Sequence, residues 1–235
     1  MVFADFERSF LPSTSDICQE VFEGHSKANK IKKEKTLNKN LGPILEAALA
    51  ISNQKGFTAM SMRDLSRRTG LSMGALYAYF SSKDELLDML WEIGRTMLHR
   101  SMDDGLRGLT DPADRLRAAI KTHLYVSEAL RPWFFFSYME AKHLSRAQKE
   151  TAQASETESE QVFTDILEQG RKAGLFHHDD SRMTAAVIKA MLQDWYVKRW
   201  KYSRRKVTVD QYAEFVIGFV ESYIRTKNQT PAVKG

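Results

Sequence analysis

The stretch Ser61-Met-Arg-Asp-Leu-Ser-Arg-Arg-Thr-Gly-Leu-Ser-Met-Gly-Ala-Leu-Tyr-Ala-Tyr-Phe80 holds two serine-led helix starts separated by one glycine. Ser61 and Asp64 have the spacing of a capping box, in which hydroxyl and carboxylate each take the other's backbone N–H. The helix they open reaches only Arg68 or Thr69 before Gly70 breaks it, and Ser72 caps a second one running to Phe80. A two-turn helix buries too little to stand alone, so its value lies in positioning its neighbour, which is the logic of a helix-turn-helix. At about 100° per residue, with Leu76 facing the core, Phe80 falls beside it while Gly74, Ala75, Tyr77 and Ala78 point away. Small residues let a backbone approach a surface closely, and the helix start after Ser72 offers N–H groups and a positive dipole end to phosphate. Duplex DNA fits such a face. Two short packing helices without DNA would show the same spacing.

Punctuation continues on both sides. Ile44, Leu45, Ala48, Leu49 and Ile51 recur at helical spacing after Pro43, which suits a first turn, and Gly56 followed by Phe57 reads as a left-handed stop. Ser82 and Glu85 form another box, opening a long helix to the region of Arg100 or Arg107. Further helices are predicted from Asp111-Pro112 to about Leu130, after Pro132 to about Leu144, and onward to near Gly174. Two more run from Asp180 or Ser181 to about Trp200 and from Thr208 to about Lys227. The count is about nine, with almost no sheet and no fixed-period repeat, so the fold class is all-α. Residues 1–26 lack clear periodicity and allow one short helix near Asp16–Phe22. Residues 27–39 hold six lysines and one glutamate, a solvated helix face or tail on one reading and a DNA-touching arm on the other.

The 235 residues carry a net charge of +5, and residues 53–83 concentrate five basic side chains against one acid, Asp64. One cysteine, Cys18, excludes an internal disulfide, and no Cys/His cluster has zinc spacing. Asp5 and Glu7 stand where a signal peptide needs positive charge, and no apolar run approaches a membrane span, so a cytoplasmic location is expected. Nucleophile elbow, zinc-protease, phosphate-loop and dinucleotide motifs are missing, which argues against an enzyme. His177-His178-Asp179-Asp180 reads as a surface loop rather than a metal site, and no cofactor is expected.

The run ILEAALAISNQKGFTAMSMRDLSRRTGLSMGALYAYFSSKDELL, Ile44 to Leu87, resembles the DNA-binding domain of TetR-family regulators. That resemblance implies residues 1–40 as a partly basic extension, 41–90 as the helix-turn-helix domain, and 91–235 as a helical bundle for ligand binding and dimerisation on a palindromic operator. It also implies that Arg63 forks onto a base edge, that Ser61 and Lys83 hold phosphates, and that Ser72, Met73, Gly74, Ala75, Tyr77 and Tyr79 line the reading face. Met73 and Tyr79 lie near the core boundary of the wheel and read also as packing residues. The family often carries lysine where Met73 stands and a larger residue where Ala78 stands, so base readout here is thin, and charge on Lys27–Lys39 could restore affinity.

In the remainder, Tyr212, Phe215, Val216, Phe219, Val220 and Tyr223 form an apolar stripe, and Val187, Ala190, Met191 and Trp195 another. The resemblance implies a four-helix homodimer interface from these helices, while a monomer core is the plain alternative. Phe134, Phe135, Tyr138 and Met139, with Leu116, Ile120, Leu124, Phe163, Leu167 and Trp195, offer apolar lining for a hydrophobic effector, and His123 an anchor. The C-terminal arrangement looks like members that sense fatty acyl-coenzyme A. Lys198–Lys206 (KRWKYSRRK) reads as a solvated loop edge, or as a site for nucleic acid, anionic lipid or a phosphate-bearing ligand. A helical adaptor at a membrane surface or protein partner is the competing function.

Overall fold

The computed structural model of the chain describes residues 2–9, 13–26 and 34–224. Among them are twelve α-helices and no β-strand: α1 (Phe3–Ser9), α2 (Thr14–Ser26), α3 (Glu34–Lys55), α4 (Met62–Thr69), α5 (Met73–Tyr77), α6 (Lys83–Leu106), α7 (Pro112–Ala129), α8 (Arg131–Glu140), α9 (Arg146–Lys172), α10 (Ser181–Val197), α11 (Arg199–Arg204) and α12 (Val209–Ile224). The all-α expectation holds, and most caps do too. Thr208 and Gln211 exchange their hydrogen bonds at the start of α12, and Asp180 accepts from Arg182 and Met183 at the start of α10.

Three segments depart from expectation. The N-terminal extension forms two helices rather than one: besides α2, which buries Ile17, Cys18, Val21 and Phe22, α1 forms where Phe6 is buried and Phe3 packs on Tyr125. Helix α3 begins at Glu34, so Pro43 lies inside it rather than in its first turn. The helix ending near Trp200 breaks at Lys198, and the basic run continues as α11 rather than as a loop. Of the lysine-rich run, residues 27–33 lie outside the described residues, and 34–39 form the first turns of α3.

Two compact units arise. One comprises residues 11–100 and 130–153; the other comprises 1–10, 101–129 and 154–235. In the first, α3 packs on α2, α4 and α8, and α4 packs on α5. Ile44, Leu45, Ala48, Leu65, Leu76, Phe80, Leu86 and Leu90 fill its core. In the second, α7 is the axis, contacted by α1, α10 and α12, and Thr122 to Ser127 are buried without interruption. Gly105 exists for close approach: a Cβ there would collide with the Thr122 side chain.

Candidate functional site

The helix-turn-helix is pinned by hydrogen bonds that its own sequence supplies. The Asp64 carboxylate accepts from Ser61 N (2.9 Å), Ser61 Oγ (2.7 Å) and Lys55 Nζ (2.9 Å), while Asp64 N donates to Ser61 Oγ at 3.2 Å. Hydrogen bonds from Lys55 and Ser61 hold Asp64 well below the usual carboxylate range. Gly70 closes α4 at φ 73°, a left-handed position that a side chain would strain, and its N–H reaches Ser66 O. Ser66 Oγ donates to Leu71 O, and Ser72 Oγ accepts from Ala75 N at 3.1 Å, so the turn and the second helix start are tied together.

On this frame α5 buries Leu76 and exposes the opposite side. Gly74 and Ala78 are exposed, Met73 and Ala75 half-buried, and Tyr77 is 48% exposed. Arg63, Arg67 and Arg68 are exposed on α4; among the described residues only Arg67 approaches an acid, Asp64 at 4.0 Å. Ser72, Met73, Gly74, Ala75 and Tyr77 thus come together on one side.

Three expected contacts sit differently. Tyr79 is only 6% exposed, its ring 6.0 Å from Phe22 and 6.1 Å from Phe80, so packing claims it rather than the open face. The Ser61 hydroxyl is engaged by Asp64. Lys83 Nζ donates to Thr58 O at 2.9 Å and lies 4.8 Å over the Phe57 ring, and burial lowers its pKa. Reaching a phosphate requires Lys83 to leave Thr58.

Behind the reader, α8 braces the α3–α4 turn. Glu140, 5% exposed, accepts from Phe57 N at 3.0 Å; Asn53 donates to Pro132 O at 2.9 Å; Phe57 meets Phe136 edge to face at 5.9 Å. Sequence reasoning missed Glu140, 83 positions from Phe57. Its one signal is an acid closing the aromatic run Trp133–Met139.

The expected effector residues divide between units. Leu116, Ile120, His123, Leu124, Phe163, Leu167 and Trp195 are all buried in the unit organised on α7. Phe134 and Phe135 are half-buried, Tyr138 and Met139 exposed, all on α8 in the reader's unit. Around His123 lies a polar group in an apolar setting: Lys189 Nζ is 3.2 Å from His123 Nε2, 2.7 Å from Ser159 Oγ and 3.6 Å from Glu156. Burial and the Lys189 charge push the His123 pKa down; burial lowers that of Lys189. Trp195 donates to Glu128 at 3.0 Å, stacks on Tyr212 at 5.0 Å and lies under Arg199, which also pairs with Glu128. The half of Lys198–Lys206 nearest α10 is thereby spent on internal pairs, with Lys198 and Lys201 on Asp194; Trp200, Arg204, Arg205 and Lys206 stay exposed.

A groove of about 360 Å³ lies elsewhere in that unit, lined by Met183, Val187, Met191, Phe219 and Tyr223 among others, and by none of the expected effector residues. Phe215, one turn before Phe219 on α12, is 70% exposed. Among the described residues no helix is long and apolar enough to cross a membrane, and no His/Cys/Asp/Glu group could hold a metal ion.

Residues 44–90 match the family model described as "Bacterial regulatory proteins, tetR family", and residues 109–220 match "Tetracyclin repressor-like, C-terminal domain". The HTH-type transcriptional repressor KstR2 of Mycobacterium tuberculosis is 24% identical over 187 residues, 78% of this chain and 92% of that one. Its solved structure superposes with a TM-score of 0.70 at 23% identity, covering 79% and 95% of the two chains. The HTH-type transcriptional activator FasR of Mycolicibacterium smegmatis is 27% identical over 200 residues, 83% and 86% of the chains. The structure of AibR in complex with isovaleryl coenzyme A and operator DNA shares the fold at TM-score 0.67 and 20% identity, over 75% and 95% of the chains.

Proposed function

The chain belongs to the TetR family of bacterial regulatory proteins, and from that premise we propose that this transcriptional regulator is a homodimeric repressor that leaves a palindromic operator when a hydrophobic effector binds. The observation that carries the DNA half is the outward side of the second helix: Gly74, Tyr77 and the capping Ala78 are exposed, and the helix is anchored by buried Leu76. In this reading α5 enters the major groove, Arg63 reaches a base edge, and Tyr77 and the helix start meet phosphate. Residues 41–90 are the DNA-binding domain and 91–235 the effector and dimerisation domain. The exposed apolar residues of α10 and α12 supply the dimer face, since Phe215, Phe219 and Tyr223 in water are costly unless covered. Two readers must then lie about 34 Å apart, or a multiple, to meet successive major grooves, so a small displacement of α6 suffices to release DNA.

The effector reading draws on the aromatic-rich cores and on AibR, whose bound molecule is an acyl-coenzyme A. Selection of bound fragments from genomic DNA tests the first half; no preference for any palindrome at low ionic strength sinks it. Melting curves with isovaleryl- and long-chain acyl-coenzyme A test the second; no shift at saturation removes this effector class. A reporter on the selected operator separates repressor from activator.

A further inference from the structure

Helix α2 lies in the same unit as the reader, and its packing gives it a task that a charged N-terminal arm would not have. Ile17, Cys18, Val21 and Phe22 fall on one side of α2, and all four are buried. Glu20, on its exposed side, pairs with Arg100 of α6. Burial pushes the Cys18 thiol up to about 12, as expected for a packing residue rather than a reactive one. Phe22 of α2 reaches the end of the reader, its ring 6.0 Å from that of Tyr79.

Reading helix α5 has five residues, too few to hold its own direction. Its orientation comes from buried Leu76 and from the turn that follows, where Tyr79 N and Phe80 N both donate to Leu76 O at 2.9 and 3.1 Å. The Tyr79 ring, in that turn, lies 6.0 Å from the ring of Phe22 and 6.1 Å from that of Phe80. Resting on the reading of α5 as the DNA reader, we propose that Phe22 is a positioning residue for DNA recognition, acting through Tyr79 to set the direction of the reading helix. Aromatic contacts of this kind are directional, so a smaller side chain loses orientation as well as buried area. The extension therefore contributes to DNA binding by packing, independently of any contact between the Lys27–Lys39 ammonium groups and DNA phosphates.

The test uses the full chain and the operator obtained by selection, with affinity measured by fluorescence anisotropy across a salt series. A graded set, Phe22→Leu, Phe22→Val and Phe22→Ala, weakens binding in order of volume removed, reaching about tenfold for alanine. The slope of log affinity against log salt stays at the wild-type value, because no phosphate contact is lost. Hydrogen exchange of amides 73–80 speeds up in the same order while α7 and α10 stay as in wild type. Leucine, which keeps most of the volume, restores most of the affinity; if alanine unfolds the chain, the leucine and valine steps carry the order. Unchanged affinity and unchanged exchange in the valine and alanine variants overturn the proposal, as does a fall in salt slope together with affinity. Failure of wild type to select any DNA sinks the DNA reading instead, and the exchange data still report whether Phe22 holds the helix.

Discussion

Leu65 and Leu76 in the reader's unit and Leu124 and Trp195 in the unit built on α7 are all wholly buried, yet the polar groups around them are disposed in opposite senses. In the reader, Ser61, Asp64, Ser66 and Ser72 spend their hydrogen bonds at helix ends within a few residues, which leaves Gly74, Tyr77 and Ala78 facing out. Around α7, His123 and Lys189 lie inside, 66 positions apart, and the apolar side chains Phe215, Phe219 and Tyr223 lie outside. Locally sustained structure leaves a surface open; long-range structure holds polar groups inside. Each half can be broken without touching the other, and the comparison predicts how.

The largest effect belongs to the α7 unit. Trp195→Ala removes a side chain that fills the core, stacks on Tyr212 and donates to Glu128, and is expected to cost about 3–5 kcal/mol in urea unfolding. Next come the outward side chains of the reader. Tyr77→Ala and Arg63→Ala should each weaken operator binding by about 1–3 kcal/mol while shifting stability by no more than ~0.5 kcal/mol. If Tyr77→Ala binds the operator as wild type does, the open side of α5 is not the reading face; if Arg63→Ala does, α4 supplies no base contact through Arg63. If Tyr77→Ala unfolds the chain, the surface was structural after all. Ser61→Ala follows, removing the cap of α4 and costing about 1 kcal/mol of stability, read by melting temperature.

The same contrast explains what could be read from the chain beforehand. Caps and stops are local, so Ser61–Asp64, Gly70, Ser72 and Thr208–Gln211 announced their helices, and the helical wheel put Tyr77 outside and Phe80 inside. Tyr79 lay at the wheel's boundary, and its packing against Phe22, 57 positions earlier, is a contact that no local spacing announces. Glu140 on Phe57 N and Lys189 on His123 are tertiary pairings with no period, and the N-terminal helices are amphipathic only with respect to partners folded elsewhere. Pro43 misled because a proline suits both a first turn and, less often, the interior of a helix braced by neighbours. For the aromatic run on α8, apolar character alone did not say which unit the helix joins.

The smallest effect is a pH dependence confined to the α7 unit. Lys189 Nζ donates to His123 Nε2, which fits a neutral imidazole with its proton on Nδ1, and burial beside a cation disfavours the charged ring. The folded chain therefore keeps His123 neutral at pH values where the unfolded chain, with an ordinary value near 6.5, takes up a proton. When the unfolded state binds more protons, stability falls as pH falls, so the loss begins as pH drops through about 6.5 and continues toward the depressed folded value. Between pH 7.5 and 6 this amounts to less than about 1 kcal/mol. His178, also lowered by burial, contributes in the same direction, which makes the variant comparison decisive. In His123→Gln the amide oxygen can still accept from Lys189, stability at pH 7.5 should change little, and the acid-side slope should become shallower. An unchanged slope would place the proton uptake on His178 and leave the polar group around Lys189 without a titrating member.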